Sequence, residues 1–94
     1  MNRQRLPNRR GNEVYTFVFE GRLYRATIGR FADGRLAEIF LDTDKPSSAL
    51  QTHAENAAIL TSLALQHGVP AETIRHSING PIAEVLRHAC RERR

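Results

Sequence analysis

The chain's four histidines and single cysteine are its natural candidates for metal ligation, proton transfer or nucleophilic attack, and their spacing favours none of these. His53-Ala54-Glu55 repeats the letters H-x-E of the zinc deaminases, but no P-C-x-x-C follows to complete that metal site. His67, His76 and His88 have no histidine or cysteine four residues away, so only the fold could assemble a metal site around them. A histidine near a helix end is far more often a cap or a surface residue. Cys90 follows His88 by two residues, a spacing that points side chains apart on a helix, and its plainest reading is a partly buried thiol beside Leu86.

Gly21, Gly29 and Gly34 fall in hairpins and not between a strand and a helix N-terminus, where a phosphate loop belongs. Ser47, Ser48, Ser62 and Ser77 have no glycine elbow around them. Glu38, Asp42 and Asp44 cluster at the end of the third alternating run, where solvated polar residues are ordinary and spacing alone makes no catalytic pair. The expectation is therefore no catalytic residue, no metal ligand and no cofactor.

Charge gives a different kind of candidate. Arg3, Arg5, Arg9 and Arg10 lie within residues 1–12 with no acid among them, and they account for the whole net charge of +4. Residues 91–94 form a second, shorter basic end. An arginine-rich segment without aromatics reads first as a solvated, disordered tail. Guanidinium forks also suit phosphate, so the four N-terminal arginines are the candidate partner-binding residues, for a nucleic acid or an acidic protein surface. One cysteine excludes an internal disulfide. A free thiol, with no apolar segment after the basic N-terminus and no run near the length of a membrane span, leads to the expectation of a soluble, cytoplasmic protein without a membrane partner.

The elements that must carry these residues are well punctuated. Residues 13–20 alternate, with Tyr15, Phe17 and Phe19 on one face and Val14, Thr16 and Val18 on the other, the period-two mark of a strand. Gly21-Arg22 interrupts as a tight hairpin, and residues 23–30 resume with Tyr24, Ala26 and Ile28 against Arg25 and Thr27. Asp33-Gly34 supplies the positive φ of a second turn, and residues 36–42 complete an antiparallel meander. The pattern leaves open which of Ala37/Ile39/Leu41 and Leu36/Phe40 faces inward.

Residues 48–67 form the longest stretch free of glycine and proline. Ser47 or Ser48 can cap this helix and Gly68 can end it. Leu50, Ala54, Ala57, Ala58, Leu60, Ala64 and Leu65 share a broad arc, Ile59 and Leu63 add a second apolar strip, and Gln51, Glu55, Ser62 and Gln66 form the one polar edge. So little polar surface predicts a central helix covered on more than one side. Pro70 and Pro81 open two further helices. In the last, Ile82, Val85, Leu86 and Ala89 recur at i, i+3, i+4 and i+7. The prediction is one α+β domain over residues 13–90, a three-stranded antiparallel β-meander followed by three helices packed on one sheet face, βββααα. The uncovered face, lined by Val14, Val18, Leu23 and Leu36, is expected to be apolar enough for an interface, and a free sheet edge leaves room for a homo-oligomer.

Two runs carry a family resemblance. Gly29-Arg30-Phe31, then Asp33-Gly34-Arg35-Leu36-Ala37-Glu38, and Ser62 to Pro70 (SLALQHGVP) resemble the TSCPD domain family, and Arg5-Leu6-Pro7-Asn8-Arg9-Arg10 is similar to the opening of its stand-alone alphaproteobacterial members. That domain is known from the C-terminal region of adenosylcobalamin-dependent ribonucleotide reductases. The resemblance implies a reductase-related domain, and this chain lacks the reductases' catalytic barrel and paired redox cysteines. The resulting expectation is a non-catalytic accessory or protein-interaction module, with a reductase as a conceivable protein partner. The alternative is a nucleic-acid-binding module using the arginine-rich tail.

Overall fold

The computed structural model describes residues 12–92. Its elements run β1 (Asn12–Phe19), β2 (Arg22–Arg30), β3 (Leu36–Thr43), α1 (Ala49–Gln66), α2 (Ala71–Ser77) and α3 (Pro81–Glu92). The strands form one antiparallel sheet in the order β1-β2-β3. This is the α+β meander followed by three helices that the sequence predicts. Arg3, Arg5, Arg9 and Arg10 lie outside the described residues.

Both hairpins follow from local chemistry. Glu20 and Gly21 take φ of 50° and 78°, the paired positive values of the two-residue turn whose twist matches its strands. The turn is thus Glu20-Gly21, one residue earlier than the pattern suggested, and Phe19 faces Arg22 at its base. In the second loop Gly34 takes φ 93°, and the Asp33 carboxylate accepts from the Arg35 backbone N–H at 3.0 Å. β1 and β2 pair without interruption from Asn12↔Gly29 to Phe19↔Arg22. Between β2 and β3 the register shifts at Gly29/Arg30, where Glu38 faces Gly29 but Leu36 faces Arg30. The extra residue, Ala37, makes a bulge that turns Leu36 and Ala37 both inward.

Leu36 is therefore 7% exposed, which corrects its expected place on the open face. Phe40, 55% exposed, stands there in its stead. The inner face carries Phe17, Tyr24, Ala26, Ile28, Ile39 and Leu41, buried against Ala54, Ala58 and Leu65 of α1 and the stripe Ile82, Val85, Leu86 and Ala89 of α3. α2 packs on α3 and buries no residue fully.

α1 begins as its sequence indicates, with Ser48 Oγ accepting from the Gln51 backbone N–H at 3.1 Å, and it ends at Gly68, whose φ is 98°. Its surroundings differ from expectation. The helix lies along β3 and meets α3 only lightly, so it is not clamped on several sides. Leu60, assigned to the core arc, is 67% exposed, and Ile59 is exposed with it. Three residues of the polar edge, Gln51, Ser62 and Gln66, instead bond into the protein, and Glu55 stays exposed. Thr43 N–H donates to Gln51 Oε1 at 2.8 Å, and Ser62 Oγ accepts from Ile39 N–H at 2.8 Å while donating to Ile39 C=O at 3.1 Å. Gln66, buried, donates through Nε2 to Ala37 C=O at 3.1 Å. These side chains occupy backbone groups on the free edge of β3, which would otherwise be unpaired beneath a helix.

Candidate functional site

Two features stand out as candidates, a cleft and a sheet face. The cleft, about 420 Å³, opens where the β2–β3 loop, the α1–α2 junction and the last turns of α3 converge. Arg30, Arg35 and Leu36 line one wall, Leu65 and Gly68 to Glu72 another, and Ala89 and Cys90 the third. The two sequence runs that carry the family resemblance thus meet across one cavity.

Chemically the cleft is quiet. Arg30, 14% exposed in its side chain, already has three partners. It pairs with Glu13 at 2.7 Å and donates to Gly34 C=O and Ala89 C=O, each at 3.2 Å. The last contact sets a cation against a carbonyl of the final turn of α3, where the helix dipole favours it. Arg30 therefore fastens β1, the second hairpin and α3 together. Glu72 is held by Arg75 at 2.7 Å, and that hydrogen bond keeps its carboxyl below the usual range. Burial pushes the Cys90 thiol up, and the neighbouring Glu72 charge pushes it further in the same direction. A thiol shifted in that direction ionises less readily, the reverse of an activated nucleophile.

The histidines are dispersed. His53 is exposed on α1, and His76 sits 3.5 Å from Glu72 on the surface of α2. His88 stacks on Tyr15 with ring centroids 3.7 Å apart, and the Tyr15 hydroxyl donates to Glu84 at 2.8 Å. Arg87 donates to the same carboxylate at 2.8 Å. These contacts tie α3 to β1, a structural use that the sequence gives no sign of because the partners are 69 residues apart. Asp42 accepts from Gln51 Nε2 at 3.1 Å and joins the α1–β3 seam. Among the described residues no group of three or more His, Cys, Asp or Glu is placed to hold a metal ion.

The second feature is the sheet's outer face. Register places Val14, Thr27 and Phe40 in one row, Thr16, Arg25 and Asp42 in the next, and Val18 beside Leu23 in a third. Val14, Val18, Leu23 and Phe40 are all exposed, Val18 by 68%. Three of the four were expected there from the alternation of β1 and β2. Phe40 was not assigned, because the bulge that orients β3 leaves no mark in a two-residue periodicity.

Fold and surface together define a small α+β domain with helices on one side of a meander and, on the other, an open face that exposes Val14, Val18, Leu23 and Phe40. The chain belongs to the TSCPD domain family, whose profile matches residues 3–89. It is 41% identical over 70 residues to a vitamin B12-dependent ribonucleotide reductase of Agrobacterium fabrum, covering 74% of this chain and 6% of the reductase. It is 40% identical over 70 residues to the protein of that description from Bradyrhizobium diazoefficiens, again 74% of this chain and 6% of the relative. The Rhodopirellula baltica reductase is 29% identical over 86 residues, 92% of this chain and 8% of its own length. The chain thus spans less than a tenth of the length of each of these three relatives. No solved structure matches it. Among the described residues no helix is long and apolar enough to cross a membrane.

Proposed function

We propose that this chain is a non-catalytic accessory module that docks on a larger protein through the open face of its sheet, with a ribonucleotide reductase as that partner. The observation that carries the reading is the face itself. Val14, Val18, Leu23 and Phe40 are exposed on the side of the sheet that faces away from the core, flanking a polar row of Thr16, Arg25 and Asp42, and exposed apolar side chains gathered on one face mark interaction sites. The choice of partner is supported by the relatives. In them the matching segment is 6–8% of a vitamin B12-dependent ribonucleotide reductase, so the same domain there lies among a great deal of other protein. The absence of a catalytic role is supported by the engagement of Arg30 in three structural bonds and by the burial that pushes the Cys90 thiol up. A free thiol suits a reducing compartment, so the module is assigned to the cytoplasm.

Titration of the purified full chain into a vitamin B12-dependent ribonucleotide reductase from the same host tests this, with binding read by calorimetry and turnover in parallel. A complex is expected, together with no turnover by the chain alone. Val18→Asp and Phe40→Asp should each weaken the complex by roughly tenfold or more, as loss of an apolar anchor does. Reductase activity in the isolated chain, or a complex indifferent to both substitutions, would sink the proposal. The nucleic-acid reading rests on Arg3, Arg5, Arg9 and Arg10 and has a separate test below.

A further inference from the structure

The two edges of the sheet are treated very differently. The β3 edge is occupied by α1, whose Gln51, Ser62 and Gln66 bond to backbone groups of Thr43, Ile39 and Ala37. Among the described residues no helix lies along the β1 edge as α1 lies along that of β3. β1 is eight residues long and contains no proline, lysine or register break. Its one charged side chain, Glu13, is held by Arg30 of the neighbouring strand. α3 reaches β1 across the sheet face, through Tyr15, which leaves the edge itself untouched by that contact.

We infer that two copies of this chain pair β1 with β1, antiparallel about a two-fold axis through Thr16, and so join their sheets into one. Residues opposed across such a seam must share a sheet face, which restricts the pairing to registers whose numbers sum to an even value. With Thr16 opposite its own copy, Val14 falls opposite Val18 on the outer face and Tyr15 opposite Phe17 on the inner face. β-branched side chains thus meet β-branched ones and aromatics meet aromatics, the pairs that stabilise antiparallel strands. Glu13 falls opposite Phe19, so no like charges face each other. The arrangement is isologous and closes as a dimer with no strand edge left for further growth at β1.

Light scattering on the full chain should give about twice the monomer mass of 10.6 kDa. Thr16→Lys places like charges opposite each other on the axis and should weaken the dimer by roughly tenfold. Mixing Thr16→Lys with Thr16→Glu should restore it. Independently of those variants, Thr16→Cys in a Cys90→Ser background should be captured as a covalent dimer by a short bismaleimide, whereas Phe40→Cys in that background should not. A monomer at high micromolar concentration would overturn the inference. So would a dimer whose mass ignores the position-16 charges, since its contact would lie on the sheet face or elsewhere, and so would a monomer whose β1 edge is taken up by its own residues 1–11. None of these readouts depends on reductase binding, and Phe40→Asp, on β3 and away from the β1 seam, reports docking alone, so the dimer and the docking proposal fail separately.

Discussion

At the scale of single residues, Tyr15, Glu84 and Arg87 make a small electrostatic joint between β1 and α3. The Arg87 guanidinium holds the Glu84 carboxyl below its ordinary value, although partial burial opposes it, and the Tyr15 hydroxyl adds to the lowering. A carboxyl depressed in the folded state stabilises the fold above the unfolded value, and that contribution is lost as pH falls through the depressed one. Tyr15 is raised, first by burial and then by Glu84, so its contribution holds up to about pH 10 and is lost as pH rises beyond. Glu84→Gln should therefore cost on the order of 1 kcal/mol at neutral pH and flatten the acid limb of the stability profile. Urea unfolding across the acid range reads this directly. An unchanged acid limb in the variant would show that the joint is not a source of pH dependence.

At the scale of elements, α1 inverts an ordinary assumption about amphipathic helices. Gln51, Ser62 and Gln66 of its polar edge serve the protein, and part of its apolar surface, Ile59 and Leu60, remains exposed. The reason is what lies beside it. An unpaired strand edge presents N–H and C=O groups, and a helix laid along it must answer with hydrogen-bonding side chains. Ser62 alone satisfies both backbone groups of Ile39. Ser62→Ala should destabilise the domain by about 1–3 kcal/mol, the cost of leaving such groups unsatisfied, a large loss for one hydroxyl. Chemical denaturation measures it, and a change near zero would mean that solvent reaches the edge and replaces the serine.

At the scale of the whole molecule, charge and fold are separable. Residues 1–12 carry the entire net charge of +4, whereas the core is assembled from residues between Phe17 and Ala89. Deleting residues 1–11 should leave thermal melting unchanged while removing any salt-dependent binding to single-stranded or duplex nucleic acid, as counterion release requires. Fluorescence anisotropy over a salt series checks this. Binding that survives the deletion with its salt slope intact would place the contact on the folded surface. The order of strands and helices, the hairpin turns to within one residue, the inner faces of β1 and β2 and the stripe of α3 are all legible in the chain. They depend on period-two and period-3.6 patterns and on glycine and proline, which act over a few residues. The orientation of β3, the exposure of Phe40, the duty of Gln51, Ser62 and Gln66, and the cleft joining two distant motifs are decided only by tertiary contact. A serine or glutamine has the same sequence signature whether it faces water or a strand edge, and a bulge of one residue reverses a face without altering composition.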